Sequence, residues 1–155
     1  MGFIKKQKLK KYSKALEELL AEGVEKRDAA QEQINIAKKM IKEAESEGIN
    51  PDRANRFLKN AESKLQGAED IDAYDDAIKH AKAAQDIIKD LKAHYIPAKT
   101  ILKSAMNRIK ILETKERVTG EHRDLMKRAK AEFKNSNYEE AAVLAQRVLK
   151  LLEDS

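Results

Sequence analysis

A chain of 155 residues with 38% charged and 5% aromatic residues, two prolines and five glycines has the bias of long helices and the length of one ordinary domain or two very small ones. It has no cysteine, which excludes disulfides, thiolate metal sites and cysteine nucleophiles together and suits a cytoplasmic protein. The net charge of +5 is local: residues 1–14 hold six lysines and no acid, leaving 26 basic against 27 acidic residues over the other 141.

The basic segment comes first. In "MGFIKKQKLKKYSK", Lys5, Lys6, Lys8, Lys10, Lys11 and Lys14 are interleaved with Phe3, Ile4 and Leu9. That composition suits contact with an anionic membrane surface or with nucleic-acid phosphates. It equally suits a solvated helix start whose apolar residues pack on a bundle. The segment has no signal-peptide apolar core, and Lys6 stands where myristoylation needs Ser or Thr. Tyr12, Ala15 and Leu19 predict a short helix within residues 1–25, closed at Gly23.

Apolar residues then recur at alternating three- and four-residue steps, the seam of packed helices. Ile34, Ala37, Ile41 and Ala44 form the first seam, which Gly48 ends as a left-handed C-cap. Asn50 as N-cap, Pro51 at the first helical position and Asp52 against the helix dipole open the next. Its seam is Ala54, Leu58, Ala61 and Leu65, stopped by Gly67.

"EDIDAYDD", residues 69–76, packs five acids into eight positions. Tyr74 breaks the alternation that a calcium loop needs, and no glycine follows, so Asp72, Asp75 and Asp76 read as cap and first-turn acids. The third seam runs Tyr74, Ala77, Ala81, Ala84, Ile88 and Leu91. Asp76/His80 and Asp90/His94 have the i,i+4 spacing of surface helix pairs. His80, His94 and His122 are too scattered for a local metal site, and no Glu-x-x-His element is present, so no metal and no cofactor are expected.

Pro97 removes the hydrogen bond to Ala93 and crowds its carbonyl, predicting a kink or tight joint. Beyond it lie the seam Leu102, Ala105, Ile109 and Leu112, a break at 114–119, and Thr119 as cap with Gly120 beside it. The next helix carries Arg123, Lys127, Arg128, Lys130 and Lys134, a modest basic side without aromatic interleaving. Ser136 with Glu139 three residues on has the spacing of a capping box. The last seam is Tyr138, Ala141, Ala145, Val148 and Leu152. No serine stands in a nucleophile elbow and the glycines are isolated, so no catalytic residue is assigned and the chain is read as no enzyme.

These seams repeat. At an offset of 68, Ile34, Ala37, Ile41 and Ala44 fall on Leu102, Ala105, Ile109 and Leu112, and Phe57, Leu58 and Ala61 on Leu125, Met126 and Ala129. At 64, Tyr74-Asp-Asp-Ala77 falls on Tyr138-Glu-Glu-Ala141. Residues 131–152 resemble a tetratricopeptide unit locally, with Tyr138 and Ala141 at that family's spacing. Ala145 replaces its usual aromatic, the closing proline is missing, and the period is not 34. The whole chain resembles the uncharacterised Lys/Glu-rich helical-repeat proteins common in archaea, a resemblance that implies an all-helical architecture and no known activity.

The expected fold is thus all-α, an antiparallel helical bundle with coiled-coil-like seams, built from two tandem three-helix repeats in a spectrin-like arrangement that allows an elongated form, with a single compact bundle of five or six helices as the alternative. Residues 1–25 form the basic segment and helix, 26–96 the first repeat and 97–155 the second. The expected role is a non-enzymatic scaffold or adaptor that binds another protein or itself, with no small-molecule substrate. The alternative is an anionic-surface binder, membrane or nucleic acid, acting through the six lysines.

Overall fold

The computed structural model describes the backbone of residues 2–154 and the side chains of residues 11–154. The chain is all-α, with no strand among the described residues. Five helices follow one another: α1 Gly2–Ser46, α2 Asp52–Gln66, α3 Ile71–Glu113, α4 Gly120–Lys134 and α5 Tyr138–Asp154. The breaks fall where glycines and polar turns predict them. Chain contacts gather into two compact units, residues 1–42 with 52–86, and residues 43–51 with 87–155.

In the first unit, Ala30, Ile34, Ala37 and Ile41 of α1 are buried, as are Ala54, Leu58 and Ala61 of α2 and Ala77, Ala81 and Ala84 of α3. Alanine dominates because small side chains let helix backbones approach closely, so their own backbones and stems fill the core. Polar contacts tie α1 to α2 and to α3. Lys26 reaches Asp75 at 3.1 Å and Lys38 reaches Glu62 at 3.6 Å. Buried Gln85 donates from Nε2 to the Gln33 carbonyl and to Gln33 Oε1, both at 3.0 Å. The Phe57 and His80 rings meet at 6.1 Å.

In the second unit, Leu102, Ala105, Ile109 and Leu112 of α3 form one core with Leu125, Met126 and Ala129 of α4 and Leu144, Ala145, Val148 and Leu152 of α5. Larger side chains fill this core more than the first. Tyr95 stacks on Phe133 at 5.5 Å and meets Tyr138 edge-on at 5.2 Å. The turn after α1 belongs here too, with Lys92 between Glu43 and Glu47 at 3.9 and 3.8 Å.

The helix ends show how the turns are built. After α1, the Gly48 N–H donates to the Glu45 carbonyl and the Ile49 N–H to Ala44, a Schellman motif with Gly48 at φ +92°. The same pair of bonds closes α3, from Glu116 to Glu113 and from Arg117 to Leu112, with Glu116 at φ 55°. A third closes α4, from Ser136 to Phe133 and Asn137 to Glu132, with Ser136 at φ 67°. Only the first of these uses glycine for the left-handed residue.

Several sequence expectations are corrected. Gly23 closes nothing: α1 runs through it, and Tyr12, Ala15 and Leu19 lie on that one long helix, exposed. Pro97, for which the sequence allows either a kink within one helix or a joint, lies inside a continuous α3. Asp72 sits inside α3; the cap is Asp70, whose Oδ1 accepts the Ala73 N–H at 2.9 Å. Ser136 is the left-handed residue rather than the cap, and its buried Oγ has no protein partner. Asn137 takes the position before α5. α2 starts at Asp52, one residue later than Pro51 predicts. Thr119 does cap α4, and its N–H donates to His122 Nδ1 at 3.0 Å, so His122 supplies the reciprocal half of a capping box.

Candidate interaction surface

A helix that leaves large apolar side chains in water exposes what helices normally bury, and this happens in one stretch of α1. Tyr12 is 68% exposed, Leu16 60%, Leu19 56%, Leu20 69% and Val24 55%. They make up five of the nine exposed large apolar side chains among the described residues, so the feature is a patch rather than scatter. At 100° per residue they share an arc of about 140° on the helix. Their three- and four-residue steps continue those of Ala30, Ile34, Ala37 and Ile41, which are buried further along the same helix. One seam is therefore covered over residues 30–41 and open over residues 12–24.

Where the open stretch meets the rest of its unit, Leu19, Leu20, Gly23 and Val24 line a shallow groove of about 270 Å³ with Ile71 and Tyr74. The seam reasoning that selects Tyr12, Ala15 and Leu19 misses Leu16, Leu20 and Val24. Their spacing was legible in the sequence, but spacing alone does not tell a covered stripe from an open one.

Of the six lysines singled out from the sequence, Lys11 and Lys14 are exposed on α1. Lys5, Lys6, Lys8 and Lys10 lie outside the residues whose side chains are described. The other candidate groups disperse. His94 Nε2 lies 3.4 Å from Asp90 and 2.8 Å from Glu139, an exposed cluster joining α3 to α5 in the second unit. His80 packs against Phe57, and His122 is buried as a helix cap. Among the described residues, no three His, Asp or Glu side chains converge as metal ligands. Asp75 of the acidic run pairs with Lys26. The basic residues of α4 are exposed, with Arg123 3.7 Å from Glu113. No helix among the described residues is long and apolar enough to cross a membrane.

No protein-family model, curated protein or solved structure matches this chain.

Proposed function

We propose that this protein is a non-enzymatic helical scaffold or adaptor of the cytoplasm, working by protein–protein contact. The observation that carries the reading is the open apolar stripe of α1. A soluble helix that keeps Leu16 and Leu20 in water gains free energy when another apolar surface covers them.

The architecture that goes with this reading is a pair of tandem three-helix repeats in a spectrin-like arrangement, with α3 serving both. Four observations support it. α2 and α4 are each 15 residues long and begin and end 68 residues apart. Ala30, Ile34, Ala37, Ile41 and Ala44 are buried, as are Ala98, Leu102, Ala105, Ile109 and Leu112 at the same offset. The Schellman motif of residues 44–49 recurs at 112–117. Ala77 and Ala141 are both fully buried at an offset of 64. The resemblance to the Lys/Glu-rich helical-repeat proteins of archaea fits the same architecture.

The test is a photo-crosslinking residue placed at Leu16 or Leu20 in the full-length protein in cells, with Lys127 on α4 as the exposed control. The scaffold reading expects protein adducts at positions 16 and 20 well above the control. Adducts confined to lipid or nucleic acid, or none, would sink it.

A second reading, an anionic-surface binder, draws on exposed Lys11 and Lys14 in the same stretch of α1. It expects full-length protein to float with vesicles containing phosphatidylserine, or to shift duplex DNA, with a steep loss in salt. Deleting residues 1–11 should abolish that binding and leave α1 beyond Tyr12 in place.

A further inference from the structure

We propose that the occupant of the open stripe is a second copy of this chain, paired antiparallel through residues 8–24 of α1. The proposal rests on the scaffold reading and names its partner. Charge decides in favour of a second copy. Residues 1–14 carry six lysines and no acid, whereas residues 15–25 carry Glu17, Glu18, Glu22 and Glu25 and no base. The arm is thus a helix with a positive half and a negative half, and it is its own electrostatic complement when turned end for end. Parallel pairing would set lysines against lysines and glutamates against glutamates, so only the antiparallel pair is attractive.

The register follows from the stripe. By helical position in the sequence, Lys10 and Glu17, seven residues apart, fall at one edge of it, and Lys8 and Glu22, fourteen apart, at the other. In an antiparallel pair, like edges face each other. Placing Tyr12 opposite the second copy's Leu16 also places Leu9 opposite its Leu19. That register runs Lys10 alongside the second copy's Glu17 and Lys8 alongside its Glu22. Apolar and ionic complementarity therefore select one register rather than competing ones. The contact is isologous, each copy supplying the same surface, and such a pairing closes on itself as a dimer. It also supplies what a solvent-exposed helical arm lacks, because helices of this length hold poorly in water without a packed face.

The experiment is sedimentation velocity on the full-length protein from about 1 to 200 µM, a range that brackets a modest helix–helix interface. The expected result is a concentration-dependent monomer–dimer equilibrium. Leu16→Glu with Leu20→Glu should weaken it by about 100-fold or more. At about 1 µM, where the wild type is also largely monomeric, the thermal melt of that variant should stay unchanged, since both side chains are exposed in the monomer. Lys8→Glu with Lys10→Glu should weaken dimerisation about tenfold, as should Glu17→Lys with Glu22→Lys. An equimolar mixture of the two charge variants should restore it, because each then meets its opposite.

Four results would overturn the proposal. They are a monomer at 200 µM, a dimer that ignores Leu16→Glu/Leu20→Glu, charge variants that associate as well as the wild type, and a monomer that uses Leu16 and Leu20 to bind phosphatidylserine vesicles or duplex DNA. A monomer whose crosslinker at Leu16 captures a different protein would remove the second copy and leave the scaffold reading standing.

Discussion

Replacing Gly48 by Ala tests how the turn after α1 is held. Gly48 has φ +92°, and a Cβ built there would lie 2.9 Å from Tyr95 Oη and 3.9 Å from its ring carbon Cζ. Two separate costs follow. The left-handed backbone disfavours any L side chain by about 1–2 kcal/mol. The contact at 2.9 Å is too short, and Tyr95 has little room to swing away because its buried ring is packed on Phe133 and Tyr138. Overpacking of that kind adds about 1–2 kcal/mol, within the range for crowded cores. Gly48→Ala should therefore destabilise the wild type by about 2–4 kcal/mol, the sum of the backbone and packing terms. In a Tyr95→Phe background the hydroxyl is gone and the nearest ring atom is at ordinary contact distance, so only the backbone term of about 1–2 kcal/mol should remain. The double-mutant cycle should then show a coupling of about 1 kcal/mol or more. Urea denaturation by circular dichroism measures the four stabilities, and hydrogen exchange on α4 and α5 reports the unit that holds both residues. Equal costs in the two backgrounds would show that the Tyr95 hydroxyl is not the obstruction. A neutral Gly48→Ala would refute the left-handed turn itself.

Three further changes have defined outcomes. Ala77→Leu and Ala141→Leu should each overpack a helix contact where no surface is exposed and cost about 1–3 kcal/mol in thermal melts; two silent changes would refute the equivalence of the positions. Glu116→Gly and Ser136→Gly should each stabilise by about 0.5–1 kcal/mol, since both residues now hold a left-handed backbone that glycine adopts without strain. Pro97→Ala should raise stability by about 1–3 kcal/mol, because an alanine there restores the backbone donor to Ala93 within the continuous α3; a lower melting temperature would mean that the proline sets a geometry the fold uses.

The sequence by itself determined the secondary structure, the turns and most of the core. Helical class, four inter-helix breaks and buried seams such as Ile34–Ala37–Ile41–Ala44 follow from local spacing, capping chemistry and glycine placement, which act over a few residues and are written in them. It failed where a local signal competes with a distant one. Gly23 is a breaker by propensity, yet α1 runs through it, since one residue's preference is small against the hydrogen bonds of a long helix around it. His122 as a cap was signalled by the Thr-x-x-His spacing but is not among the usual capping residues. What only the tertiary structure decided is which seams are covered. Tyr12, Leu16 and Leu19 have the same periodicity as Ala30, Ile34 and Ala37, and burial differs because α2 and α3 pack beside one part of α1 and leave the other bare. Periodicity states which residues share a face; whether water touches that face depends on chain segments far away in sequence.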